Sequence, residues 1–160
     1  MQRIHMHRLV GDWPSREAAG TVTLDFDARH RRRIQMRTDQ GEDVVLELPK
    51  AVAMTDGDGL LLEDGRWLKI LAAPEPVVEI RHQHPSQLAR LAWHLGNRHL
   101  PTEIATNVLR IRPDHVIETL LRGFGAILVH VQVPFQPEGG AYSGQNQRGH
   151  QYGMGGHRHG

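Results

Sequence analysis

The feature that most constrains this chain is a change of hydrophobic period at Ala72-Ala73-Pro74-Glu75-Pro76. Before that segment, apolar residues alternate every second position in short runs, the period of half-buried strands. After it, strand-like runs are interleaved with two stretches of helical period. In the first part, Val22, Leu24 and Phe26 alternate with polar residues. Arg31 to Arg37 and Val44 to Leu48 read as the arms of a hairpin, joined by the turn-rich Thr38-Asp39-Gln40-Gly41-Glu42-Asp43. Asp56-Gly57-Asp58-Gly59 marks another turn. It leads to Leu60-Leu61-Leu62 and Trp67 to Leu71, a second hairpin with Asp64-Gly65 at its tip. No window here carries a long helical period.

The second part alternates differently. Val77 to Arg81 predicts a strand. Ser86 is placed to cap a helix carrying Leu88, Leu91, Ala92 and Leu95, with Gly96 at its C-terminal end. A short strand at Glu103–Ala105 and another over Val108 to Ile111 follow. Pro113 then suits the first turn of a second helix, with Val116, Ile117, Leu120, Leu121 and Phe124 as one apolar stripe. Ala126 to Val133 is the last strand. The order β-α-β-β-α-β is that of a split βαβ, or ferredoxin-like, domain. The expected class is therefore α+β, with a β domain over 1–75, a ferredoxin-like domain over 76–135 and a tail over 136–160. In the tail's 25 residues there are eight Gly, three His and no Leu, Ile, Val, Phe or Trp, so it is expected to be disordered unless something binds it.

Composition narrows the function classes. The absence of cysteine removes disulfides, thiolate metal sites and cysteine nucleophiles. Lys+Arg is 19 against 18 for Asp+Glu, a balance that argues against nucleic-acid and membrane-surface partners. No apolar run approaches the ~20 residues of a membrane span, and the start shows no signal-peptide core, so the expected location is the cytoplasm. No P-loop, GxGxxG, HExxH or GxSxG is present, and no Ser/His/Asp set is suggested, so an enzyme is not expected. The outlier is histidine, 12 in 160 residues. Imidazole is the commonest metal ligand.

The histidines divide into several readings. His99 follows a helix end in Gly96-Asn97-Arg98-His99-Leu100-Pro101, where Pro101 stiffens the connection. It reads as a ligand or acid/base held at a fixed point, or as part of a polar cap, and on local sequence the cap is the simpler. His115, beside Asp114 in the first turn of the second helix, reads as structural or as a carboxylate-oriented ligand. His150, His157 and His159 lie in the Gly-rich tail, where His157-x-His159 brings two rings to one ion or is simply solvated. His5 and His7 are expected on one face of an N-terminal strand, and His82 and His84 in solvent. His94 and His130 read as satisfied structural side chains. The basic run Arg29-His30-Arg31-Arg32-Arg33 reads as a solvated hairpin edge.

Taken in order, several segments resemble one family. These are Asp56-Gly57-Asp58, Ala92-Trp93-His94-Leu95-Gly96-Asn97-Arg98-His99-Leu100-Pro101, Asp114-His115-Val116, Leu120-Leu121-Arg122-Gly123-Phe124-Gly125, and Pro134-Phe135-Gln136-Pro137-Glu138-Gly139-Gly140-Ala141-Tyr142 before a His-bearing tail. Together they resemble the urease accessory protein UreE family of nickel metallochaperones. The resemblance implies a homodimer joined through C-terminal domains, with His99 meeting its copy to bind Ni(II), and Zn(II) or Cu(II) as alternative occupants. It implies further ligands from the tail, and delivery to apo-urease through an accessory GTPase rather than catalysis. Pro113 stands where some relatives carry a histidine, so an auxiliary His-x-His site at His115 is broken. A nickel or zinc buffering protein without a delivery partner is the alternative.

Overall fold

The computed structural model describes residues 1–139, which form two compact units, one over Met1–Ala72 and one over Ala73–Glu138. The class is mixed α+β.

The first unit is a curled six-stranded sheet. Its strands are β1 (Gln2–Arg8), β2 (Ala18–Leu24), β3 (Arg33–Arg37), β4 (Asp43–Glu47), β5 (Gly59–Leu62) and β6 (Trp67–Ala72), in the order β2-β6-β5-β1-β4-β3. The two expected hairpins are present, β3 with β4 and β5 with β6. The alternation places Ile4, Val22, Leu24, Val44, Leu46, Leu60, Leu62, Leu68 and Ile70 in one core. At Gly59 the backbone lies directly under the Trp13 indole, where a β-carbon would collide with the ring.

Two expectations fail in this unit. His5 and His7 do not share a face. The pairing of β1 with β5 shifts between Ile4 and Met6, a bulge that advances the alternation by one residue. His5 stays exposed, while His7 turns inward with its side chain 6% exposed. Arg29 is not on a solvated edge. It sits in a 3-10 turn, buried, and donates to the carbonyls of Leu24 (2.9 Å) and Met54 (3.2 Å). A guanidinium with several donors satisfies neighbouring loop carbonyls better than it pairs with solvent there.

His7 ends at Asp58, whose side chain is fully buried. The carboxylate accepts from His7 Nε2 (2.7 Å), the Val10 and Thr55 amides (2.9 Å each) and Thr55 Oγ1 (3.1 Å). Burial alone would raise its pKa; these donors outweigh burial and hold it below the usual carboxylate value.

The second unit is a four-stranded antiparallel sheet covered on one face by two helices. Its elements are β7 (Pro74–His82), α1 (Leu88–Asn97), β8 (Glu103–Ala105), β9 (Val108–Ile111), α2 (His115–Gly123) and β10 (Ala126–Pro134). The strand order β10-β7-β9-β8 is the ferredoxin-like arrangement. Pro74 and Pro76 fall where β7 pairs only with β10, since its ladder with β9 begins at Val78. That one-sided stretch tolerates residues with no N–H. The core is Val78, Ile80, Leu88, Leu91, Leu95, Leu109, Ile111, Ile117 and Leu121.

The helix ends differ from expectation. Ser86 lies in a 3-10 turn over Pro85–Gln87, and α1 starts without a side-chain cap. Gly96 lies inside α1 rather than beyond it. Pro113 precedes α2. Its cap is Asp114, which accepts the Ile117 amide (3.0 Å) while Glu118 reaches back to the Asp114 amide (2.9 Å). The expected single stripe on α2 divides: Ile117 and Leu121 are buried, whereas Val116 is 73% and Phe124 39% exposed.

Asp58 yields a test. A carboxyl with a lowered folded pKa stabilises the fold above its unfolded value, near ~4, and loses that contribution as pH falls through the folded value. Asp58→Asn is expected to cost about 3 kcal/mol at pH 7. In urea melts, wild-type stability should fall below pH ~4 while the variant changes less over the same range.

Candidate metal centre

Helix α1 ends in a left-handed turn. Arg98 is its C-cap, and His99 has φ 55°, one of two non-glycine residues with positive φ among those described. The Leu100 amide bonds the Leu95 carbonyl (3.2 Å) and the His99 amide bonds the Gly96 carbonyl (3.0 Å). These are the two hydrogen bonds of a Schellman motif, with histidine where glycine usually stands. Leu100 supplies the apolar contact by packing on the core that includes Leu95. A side chain in this conformation costs roughly 1–2 kcal/mol, so the surroundings hold His99 there. The His99 side chain is exposed.

Topology brings the other candidates to the same end of the sheet. The start of β8 pairs with the end of β9, Glu103 opposite Arg110, and the end of β10 pairs with the start of β7, Pro134 opposite Pro74. The exit from α1, the entry to α2 and the exit from β10 therefore share one end. His99 sits at the first and His115, exposed at the first residue of α2, at the second. At the third, Phe135 is buried, the Gln136 amide donates to Glu103 Oε1 (2.9 Å) and the Glu138 amide to the Thr102 carbonyl (2.8 Å). Order thus extends past residue 135, because backbone amides find acceptors there. His150, His157 and His159 lie outside the described residues. Among the described residues, no three His, Asp or Glu side chains converge closely enough to hold an ion.

The remaining histidines of this unit are engaged. His84 donates its amide to His82 Nδ1 (2.9 Å), so His82 carries its proton on Nε2 and donates to the Phe124 carbonyl (3.1 Å). Gly125, at φ 85°, lies 3.1 Å below that nitrogen at its would-be β-carbon. His94 stacks on Phe124 with ring centroids 4.5 Å apart, and Trp93 meets His94 edge-on at 5.1 Å. His130 Nε2 meets Glu118 Oε1 at 2.8 Å. Burial would raise the Glu118 pKa, but the Asp114 amide, His130 and Arg122 together lower it. His130 is structural as its sequence suggests, but local sequence carries no sign of this carboxylate partner, which is twelve residues away on another element.

Sequence models of the UreE urease accessory protein match the chain in two parts, the N-terminal domain over residues 2–73 and the C-terminal domain over 75–160. The chain belongs to the UreE urease accessory protein family. It is 53% identical over 138 residues to the urease accessory protein UreE of Rhodopseudomonas palustris (strain BisB18), covering 86% of this chain and 65% of that relative. To the UreE of Bradyrhizobium sp. (strain ORS 278) it is 52% identical over 141 residues, 88% of this chain and 67% of the relative. To that of Chelativorans sp. (strain BNC1) it is 50% identical over 142 residues, 89% of each. The chain spans about two thirds of the length of the first of these relatives.

The left-handed turn makes a prediction of its own. His99→Gly should stabilise the protein by about 0.5–1 kcal/mol by relieving the strained backbone, whereas His99→Ala should not. Paired thermal melts decide between this and an unstrained turn.

Proposed function

We propose that this protein is a nickel-binding metallochaperone acting in urease maturation, carrying Ni(II) as cargo to apo-urease through an accessory GTPase in the cytoplasm. On this reading it performs no catalysis. The observation that carries it is His99. One imidazole is fixed at the tip of a strained turn, at the same end of the domain where the His-bearing tail begins.

The active form is a homodimer. Trp93 is 64% exposed, and Val116, Leu120 and Phe124 recur at every fourth residue along α2, the outer two of them exposed. The contacts Trp93–His94–Phe124 join these positions across the two helices. Pairing two copies across a twofold axis repeats each contact and brings His99 to its own symmetry mate. Two imidazoles leave the coordination of a divalent ion incomplete. His150, His157 or His159 supplies the rest, and His115 stands at the same end as a further donor. The tail starts at a point bonded to Thr102, three residues from His99. The twelve residues from Glu138 to His150 reach about 40 Å when extended.

The donor set suits handover. Imidazole accommodates nickel, copper and zinc, with raw affinity favouring copper, so Zn(II) and Cu(II) compete for the same site. Ligands supplied by a separate segment detach more readily than a closed cage. Ligation requires neutral imidazole, so binding releases protons and weakens below pH ~6.5.

Calorimetric nickel titration with mass measurement in solution tests the assignment. His99→Ala should lose the tightest site per dimer; an unchanged tight site ends the proposal. Deleting residues 144–160 should lower the nickel stoichiometry. Trp93→Asp should shift sedimentation toward the monomer and weaken nickel binding together.

A further inference from the structure

The Glu103 side chain links the chain that follows the His99 turn to the Phe135–Glu138 segment. Glu103 lies in β8, four residues after His99, with its side chain 19% exposed. Its two oxygens face in different directions of use. Oε2 receives Arg110 Nη1 at 2.8 Å, and Arg110 Nε in turn binds Glu79 Oε2 at 2.9 Å, so the carboxylate is tied across β8, β9 and β7. Oε1 receives the Gln136 amide at 2.9 Å. The next contact along, Glu138 amide to Thr102 carbonyl at 2.8 Å, seats the same strap against the residue before Glu103. Thr102 Oγ1 donates to the Leu100 carbonyl at 2.9 Å, which completes a continuous path from the strap to the left-handed turn.

His99 leaves the helix with positive φ, and β8 is three residues long. The strap over 135–138 adds no strand to the sheet; it is held by the buried Phe135 ring and by amides that need acceptors. A carboxylate is suited to this junction because its two oxygens serve a cation and a backbone amide at once, and charge-assisted hydrogen bonds of this kind are roughly twice as strong as neutral ones. The pair Glu103–Arg110 is fixed by Glu79 from the far side, which removes the freedom that makes exposed ion pairs weak.

We propose that Glu103 is a positioning residue for metal binding: its carboxylate holds the Phe135–Glu138 strap against the chain that carries His99, so that the ligand on the turn and the root of the tail stay side by side. This rests on the reading of His99 as a nickel ligand. Outer-shell partners of metal ligands typically contribute 10–100-fold to affinity. The effect here operates one step further out, through backbone rather than through the ring, so the lower end of that range is expected.

The test is nickel titration of the full chain by calorimetry for wild type, Glu103→Ala and Glu103→Gln, each also in a His99→Ala background, with thermal melts of all six. Glu103→Ala should weaken nickel binding about tenfold, and Glu103→Gln, whose amide oxygen still accepts from Gln136, should recover part of that loss. In the His99→Ala background the same substitutions should leave nickel affinity unchanged, since a brace for an absent ligand has nothing to position. Hydrogen exchange at the Gln136 amide should accelerate in Glu103→Ala and less so in Glu103→Gln. Wild-type nickel affinity in Glu103→Ala overturns the proposal, as does an equal loss in both backgrounds. Should Glu103→Ala fail to fold, Glu103→Gln decides: accelerated exchange at Gln136 together with unchanged affinity overturns the proposal. If His99→Ala alone binds nickel as tightly as wild type, the reading beneath the proposal falls and the proposal with it. A His99-dependent site indifferent to Glu103 removes only the proposal.

Discussion

A single left-handed residue, His99, organises the end of the second unit where α1 gives way to β8. Helix α1 could have stopped at Gly96, the residue best suited to stop it, and did not. It runs on to Asn97 and reverses at His99, the position in the motif where a side chain is least welcome. The two hydrogen bonds of the turn and the burial of Leu100 beneath it offset the strain. On the proposed reading of His99 as a ligand, such a turn leaves little backbone freedom to lose on binding. A glycine there would give a calmer turn without an imidazole.

The same economy appears where charge is buried. Asp58, Arg29 and Glu118 are each withdrawn from solvent, and each is surrounded by groups that suit its charge. Asp58 takes four donors from His7, Val10 and Thr55, and so locks two loops to β1. Arg29 gathers carbonyls from two chain segments. Glu118 closes the cap of α2 with one oxygen and receives His130 with the other. Buried charge without such partners would cost several kcal/mol, and in these three places it serves as a fastener between segments distant in sequence.

How legible this was in the sequence depends on the range of the interaction. Alternation of period two and a helical stripe are local, and they gave the two hairpins, both helices and the ferredoxin-like strand order. Features set by a partner elsewhere were not local. The bulge that separates His5 from His7 arises from the register against β5, which no single strand displays. Val116 and Phe124 look like core residues because apolarity records only that a side chain avoids water, not what will cover it. Gly96 is misleading because glycine is the commonest residue at the left-handed stop, which this chain places three residues later at His99. His99 and His115 were visible as candidates. That their loops and the tail root share one end of the sheet follows only from the pairing of β8, β9, β10 and β7.

The distribution of tryptophan has a spectroscopic consequence. Two of the three, Trp13 and Trp67, lie 5.5 Å apart in the first unit, and the third, Trp93, stands alone in the second, largely in water. Trp93 is therefore the ring of the three most open to a water-soluble quencher, and its neighbour in the chain, His94, lies against it. Covering the helical face of the second unit lowers iodide access to Trp93, so the unlabelled protein carries its own optical gauge of that face.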